Sequence, residues 1–198
     1  MLIKVWNGEV GTSNGIDKMN LKNRTELAKH FAELGFRKGA EVGVFQGYYS
    51  MVLLDNIPNL NLLCVDSWTS ATGWGQRRNV AAYPVAKKNL SRYYHATILK
   101  GDSTNVAKLI TDDTLDFVYI DADHSYEAVK ADINAWVPKV KNGGIIAGHD
   151  YFTHRTLGVI EAVDEFAKEL NLDVKTTEWD HENSVSDDKQ PNWYFTKI

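Results

Sequence analysis

Asp121, Asp123, His124, His149 and Asp150 are the residues whose types and spacing could do chemistry. Asp121 closes the apolar run 115–120, and Asp150 lies just past the run 144–147. If the two runs are neighbouring strands of one sheet, their ends lie about 4.8 Å apart and the two carboxylates converge. Two unpaired carboxylates that close repel until one holds a proton; a divalent cation removes the conflict and lowers the pKa of a bound hydroxyl. The spacing predicts a metal site of Asp121, His149 and Asp150. Oxygen ligands suit Mg²⁺ or Mn²⁺, whereas an imidazole moves the preference toward Mn²⁺, iron or zinc. His149 reads equally as a ligand, as a base acting without metal, or as a histidine bonded to nearby backbone. His124 is the second general-base candidate after His149, for work that contributes roughly 10²–10⁴-fold, with Asp121 completing the catalytic set. Asp123 and Ser125 also suit the cap of a helix that begins there.

A second constellation surrounds Glu41-Val42-Gly43-Val44-Phe45-Gln46-Gly47, where a strand is expected to turn into a helix. Glycines at such a turn let backbone approach a ligand closely. The dinucleotide fingerprint G-x-G-x-x-G is not met, because Phe45 stands in place of its second glycine, so a pyrophosphate fits poorly. Nineteen residues beyond Gly47, Asp66 ends an apolar run, a position from which a carboxylate accepts from ribose hydroxyls. Trp68 reads either as a cover for an adenine face or as a core aromatic. Glu41 reads either as a ligand contact or as a partner of loop backbone.

Those residues need a frame. Runs 41–45, 62–65, 96–99, 115–120 and 144–147 read as five strands, separated by helix patterns near 48–56, 76–94, 104–110 and 125–140, with another at 157–170. An earlier helix is expected to be capped by Thr25, to bury Leu27, Phe31 and Leu34, and to end at Gly35. Strands joined by helices run parallel, and continuous apolar strands require a sheet covered on both faces. Residues 172–179 and 193–197 are strand-like with only a polar stretch between them, which predicts a closing antiparallel hairpin and a loop near 180–190. The fold class is therefore α/β: a Rossmann-like, seven-stranded, mostly parallel sheet with helices on both faces and a C-terminal antiparallel hairpin.

The chain of 198 residues suits a single domain, 1–198, with a lead at 1–23 and the core at 36–198. The formal charge of −4 and the absence of a dense Lys/Arg run speak against a nucleic-acid partner. The single cysteine, Cys64, lies in an apolar run and reads as a buried hydrophobe. No stretch approaches the roughly 20 apolar residues of a membrane helix, and no signal peptide is read at the start. A cytoplasmic location is expected. Ser67 to Arg78, with Trp74 and the Arg77-Arg78 pair, reads as a lid.

The acidic strand residue, Gly43, Gly47, Asp66 and the closing hairpin, in that order, resemble the class I S-adenosylmethionine-dependent methyltransferases. Lys100-Gly101-Asp102-Ser103 resembles that family's adenine-contact turn. Asp121-Ala122-Asp123-His124-Ser125-Tyr126 and Gly143-Gly144 followed by His149-Asp150-Tyr151 are similar to segments of its small-molecule O-methyltransferases, some of which bind magnesium. The resemblance implies S-adenosylmethionine as cofactor. Glu41, Gly43 and Gly47 would shape its methionine end, Asp66 its ribose, and Trp68, Asp102 and Ser103 its adenine, with Asp121 at the edge of the same site. Asp102 and Ser103 would equally serve as a helix cap. The implied reaction is methylation of a small hydroxylated molecule, a sugar or phenol, with Mg or Mn as a candidate helper. An aminopropyl transferase and a non-catalytic S-adenosylmethionine-binding module are the alternative readings; the sequence is silent on oligomeric state.

Overall fold

The computed structural model describes residues 21–69, 73–153, 158–181 and 189–198. Residues 1–20 of the expected lead, most of the expected 180–190 loop and residues 70–72 of the expected lid lie outside the described residues.

Helix α1 (Arg24–Glu33) is capped by Asn23, two residues before the expected Thr25; Asn23 Oδ1 accepts from the N–H groups of Thr25 and Glu26, both at 3.1 Å. The amide oxygen of asparagine reaches these otherwise unpaired donors. Leu27 and Phe31 are buried as expected, whereas Leu34 is 48% exposed because it stands at the helix end. Strand β1 (Lys38–Val42) ends three residues before the expected Phe45. Gly43 and Phe45 have φ of +95° and +50°, outside the strand region, so the chain turns immediately after Val42.

The remaining elements follow in alternation: α2 (Tyr48–Asn56), β2 (Asn61–Asp66), α3 (Gly73–Leu90), β3 (Ala96–Lys100), α4 (Ser103–Ala107), β4 (Leu115–Ile120), α5 (Tyr126–Trp136), β5 (Val140–Gly148), α6 (Val159–Glu169), β6 (Lys175–Thr176) and β7 (Trp193–Thr196). They build one seven-stranded sheet in the order β3-β2-β1-β4-β5-β7-β6. Strands β1 to β5 pair in parallel, and β7 runs antiparallel to both β5 and β6. The closing hairpin is present, though β6 is only two residues long.

Strand alternation divides the core. Leu62, Cys64, Phe117, Tyr119, Ile145 and Ala147 pack on the side of α1, α2 and α3. Val65, Val118, Ile120 and Ile146 pack with Val106 of α4, Ile133 and Trp136 of α5, and Val163 of α6. Burial of each large apolar side chain stabilises the fold by about 1.5–3 kcal/mol. Cys64 is one of these buried groups, and burial pushes its thiol up, away from reactivity. Among the described residues, no helix is long and apolar enough to cross a membrane.

Register aligns the sheet's working edge. Val42 of β1 pairs with Ile120 of β4, which pairs with Gly148 of β5. The next residues, Gly43, Asp121 and His149, therefore leave the sheet side by side. Strand order reverses between β1 and β4, and open α/β sheets bind ligands at such a switch point.

Candidate active site

A cleft of ≈ 1460 Å³ opens over these strand ends. It exceeds the usual 300–1,000 Å³ of a single-ligand pocket, which gives room for two reactants. Its floor is the loop after β1. A Cβ on Gly43 would lie 1.9 Å from the Asp121 carbonyl oxygen, so no side chain fits there. Gly47, with φ of +79°, starts α2. Phe45 keeps the left-handed backbone without being glycine, at a cost of roughly 1–2 kcal/mol. Two hydrogen bonds hold it: Phe45 N–H donates to Asp66 Oδ2 at 2.8 Å, and the Trp68 indole donates to the Phe45 carbonyl at 2.7 Å.

Asp66 lines the cleft at the end of β2 and also accepts from Trp68 N–H at 2.6 Å. It therefore organises the loop while facing the ligand space. Trp68 is placed differently from the adenine-covering role expected for it. Its side chain is wholly buried, packs at a tilt against Tyr83 with ring centres 4.7 Å apart, and does not line the cleft. Its positive φ of +47° turns the ring away from the strand end and into the core.

Asp102 and Ser103 both line the cleft and both have structural work. Asp102 Oδ1 accepts from Thr104 Oγ1 at 2.8 Å and from Asn105 N–H at 3.1 Å, which holds its carboxyl below the usual range and caps α4. Ser103 Oγ accepts from the Trp136 indole at 2.8 Å. Glu41 is buried at the cleft floor and accepts a short hydrogen bond from Ser50 Oγ. Burial pushes its carboxyl up to about 8.

The carboxylates expected to converge do so, because β4 and β5 are neighbours. His124 Nε2 lies 3.2 Å from Asp121 Oδ1 and 3.2 Å from Asp150 Oδ2. One ligand atom each from Asp121, His124 and Asp150 lies within 4.8 Å of the others, so His124 takes the place expected for His149. His149 sits behind the pair, 3% exposed, with Nδ1 3.5 Å from Asp150 and 3.9 Å from Asp121. Its buried Nε2 and the buried Trp193 Nε1 have no hydrogen-bond partner, and both residues line one small void. Asp150 adopts φ of +57°, which sets the direction of its carboxylate.

Burial works to raise the Asp121 carboxyl, but the charge of His149, the bond and charge of His124 and the charge of Arg24 hold it below the usual range. Burial likewise works to lower His124, and the bond and charge of Asp121, then the charges of Asp150 and Asp123, raise it. Asp123 Oδ1 accepts from Ser125 N–H at 2.8 Å, a turn just ahead of α5; the cap position is Ser125, and its side chain makes no cap hydrogen bond, so the side-chain cap expected from Asp123 or Ser125 is not formed.

Sequence reasoning missed Arg24 and Asp132. The Arg24 guanidinium lines the cleft, 3.8 Å from Asp121 and 4.9 Å from the Tyr49 ring centre. Asp132 reaches the cleft from α5. Neither belongs to a recognisable motif; an acidic residue among apolar positions of a helix was the only signal for Asp132. Of the expected lid, Arg78 lines the cleft and stands 4.8 Å over the Phe45 ring.

A family model described as "Methyltransferase domain" matches residues 40–151, more than half of the chain. Among solved structures, the chain is similar to the O-methyltransferase from Bacillus cereus in complex with SAH, at 15% identity and a TM-score of 0.65, covering 88% of this chain and 80% of that one. It is also similar to precorrin-6y C5,15-methyltransferase from Geobacter metallireducens, at 12% identity and a TM-score of 0.63, covering 87% of each. A third likeness is to precorrin 8w decarboxylase from Methanobacterium thermoautotrophicum, at 17% identity and a TM-score of 0.61, covering 88% and 89%. At these identities the likenesses establish the fold. No curated protein matches the sequence.

Proposed function

The chain belongs to the methyltransferase-domain family of S-adenosylmethionine-dependent enzymes, and from that premise we propose that it methylates a hydroxyl of a small molecule, a sugar or a phenol, with help from a divalent cation. The observation that carries the reading is the meeting of Asp121, His124 and Asp150 beside the Gly43 loop. It also ranks methyl transfer above the aminopropyl and non-catalytic alternatives.

The residues fit both groups. Glu41 is a buried carboxyl with an elevated pKa, the kind of group that the cationic methionine end of S-adenosylmethionine would settle. Asp66 stands where ribose hydroxyls would be accepted, and the Gly43 turn leaves backbone bare. Two carboxylates and one imidazole suit Mn²⁺ or Mg²⁺. The donor would supply an electrophilic methyl, and a cation held by Asp121, His124 and Asp150 would lower the pKa of the acceptor hydroxyl.

The chain's own residues do the rest. The strand ends of β4 and β5 would position the acceptor hydroxyl for transfer, and well-oriented reactants reach effective molarities of about 10⁵ M and above. Phe152, beside Asp150, and Gln190 line the acceptor side, suited to a ring that carries hydroxyls. His149 supports the carboxylates from behind. A second reading follows from the paired 3.2 Å contacts of His124: without a cation it would act as the general base, oriented by Asp121 and Asp150.

Incubating the protein with S-adenosylmethionine and a panel of sugars and phenols, with and without chelator, tests the proposal. Methyl transfer lost in chelator and restored by Mn²⁺ or Mg²⁺ supports it. Full activity in chelator selects His124 as base, and transfer only to non-hydroxyl acceptors contradicts both readings.

A further inference from the structure

Arg24 stands in the cleft with no part in the reaction just described. Its guanidinium lies 3.8 Å from Asp121 Oδ2, an ion contact longer than a hydrogen bond. Two physical effects oppose a cation at this place. Arg24 is the first residue of α1, where the helix dipole favours negative charge, and its side chain is only 14% exposed. The fold nevertheless builds a seat for it. The buried Tyr49 ring lies under the guanidinium, 4.9 Å from its central carbon, and the Tyr49 hydroxyl donates to the Arg24 carbonyl at 3.2 Å. One tyrosine thus holds both the head and the backbone of the arginine.

Neighbouring segments place this seat on the acceptor side. Just ahead of α1, the Leu21 carbonyl accepts from Glu178 N–H at 3.0 Å, and Asn23 Nδ2 donates to Asp180 Oδ2 at 3.0 Å. The start of the helix is therefore fastened to the segment that follows β6. Trp179, between those two contacts, meets Phe152 edge-on with ring centres 5.5 Å apart. Arg24 and Phe152 both line the cleft at the β4 and β5 end, whereas Asp66 and Asp102 line it after β2 and β3.

Charge then selects the occupant. Asp121 and Asp150 together carry two negative charges, which a divalent cation held by them cancels. Arginine keeps its proton, so the positive charge of Arg24 is left over in a place too buried for full hydration. A guanidinium is a rigid fork that matches a carboxylate with two parallel bonds. We propose that Arg24 determines acceptor specificity by binding a carboxylate of the acceptor, which makes the acceptor a small hydroxy acid. The closeness of Arg24 to Asp121 requires the carboxylate to be attached next to the carbon bearing the methylated hydroxyl, or to that carbon itself. This rests on the proposal that a hydroxyl is methylated over Asp121, His124 and Asp150. Tyr49 acts as a positioning residue, through the ring beneath the guanidinium.

Calorimetric binding to protein loaded with S-adenosylhomocysteine and Mn²⁺ tests this, with 2,3-dihydroxybenzoate against 2,3-dihydroxybenzamide and galacturonate against galactose as probes. Within the first pair the shape is kept and the charge is lost. Wild-type protein is expected to bind the acid of at least one pair about tenfold more tightly than its neutral partner, the ratio typical of a charge-assisted hydrogen bond. Arg24→Gln is expected to erase that ratio, and Arg24→Lys, which keeps the charge without the fork, to restore part of it. Affinity for S-adenosylhomocysteine alone should change little in both variants. Absence of an acid preference in both pairs overturns the proposal, a result that needs no variant to fold. A fall in S-adenosylhomocysteine affinity in Arg24→Gln as large as the fall in acid affinity also overturns it, because the arginine would then serve the donor's carboxylate. Methyl transfer to neutral hydroxyl compounds without preference for the acids refutes the inference and leaves the hydroxyl reading standing. Transfer only to non-hydroxyl acceptors removes both.

Discussion

His124 Nε2 stands 3.2 Å from Asp121 Oδ1 and 3.2 Å from Asp150 Oδ2, and so ties the end of β4 to the end of β5. Neither strand makes this contact alone. It exists because Ile120 and Gly148 are in register and because the chain turns back over the edge between them.

Asp150→Asn tests this bridge with little disturbance of the backbone. Asp150 has φ of +57°, a conformation that asparagine tolerates, so the variant should fold. Losing one of the two charges should lower methyl transfer by roughly 10²–10⁴-fold and weaken Mn²⁺ binding. Turnover and metal titration of the purified variant check both. Wild-type turnover in Asp150→Asn would remove the carboxylate pair from the mechanism.

Glu41 should leave a signature in the pH dependence of stability. Its folded carboxyl titrates at about 8 against an ordinary 4.5. Below pH 4.5 both states hold the proton. Between 4.5 and 8 the unfolded chain loses it while the folded chain keeps it, so this contribution to stability falls as pH rises and levels off above 8. Each unit of separation corresponds to about 1.4 kcal/mol. Glu41→Gln should therefore gain on the wild type from pH 5 to pH 8, by an amount on the order of a few kcal/mol. Urea midpoints across that range read the difference, and parallel curves would show that Glu41 is ionised when folded.

Gly43→Ala and Gly35→Ala form a contrasting pair. Both positions have positive φ, +95° and +78°. At Gly35 nothing lies within 4 Å of an added Cβ, so only the backbone penalty, roughly 1 kcal/mol, is expected. At Gly43 the new carbon meets the Asp121 carbonyl at 1.9 Å and must push β1 and β4 apart. Thermal melts should show a small loss for Gly35→Ala and a much larger one for Gly43→Ala, with donor binding abolished in the latter. Similar melting points for the two would contradict the close approach.

Trp68→Phe separates a ligand contact from loop support. The variant keeps a buried ring and loses the indole bond to the Phe45 carbonyl, a change worth about 1–3 kcal/mol when the carbonyl is left unpaired. Affinity for S-adenosylhomocysteine should fall because the Phe45 turn loosens. The preference for adenine over hypoxanthine should stay as in wild type, since the ring does not reach the cleft. A changed base preference would return Trp68 to the adenine site.

Much of this was legible in the sequence because period carries fold. Alternation of short apolar runs with helical stripes forecast the parallel sheet, and the helix-free interval before Trp193 forecast the antiparallel end. What escaped reading depends on single backbone angles. The positive φ of Phe45 shortens β1, that of Trp68 sends its ring into the core, and that of Asp150 redirects a carboxylate. Sequence types alone could not rank His124 against His149, because which imidazole meets the carboxylates depends on those turns. Asp132 escaped because its place in the cleft, reached from α5, is fixed only by packing.

Calorimetric titration of the protein with S-adenosylhomocysteine tests the central claim most directly. Saturable binding with one site per chain, weakened by Asp66→Ala, is the expected result. No heat of binding and no thermal stabilisation at millimolar ligand would contradict it.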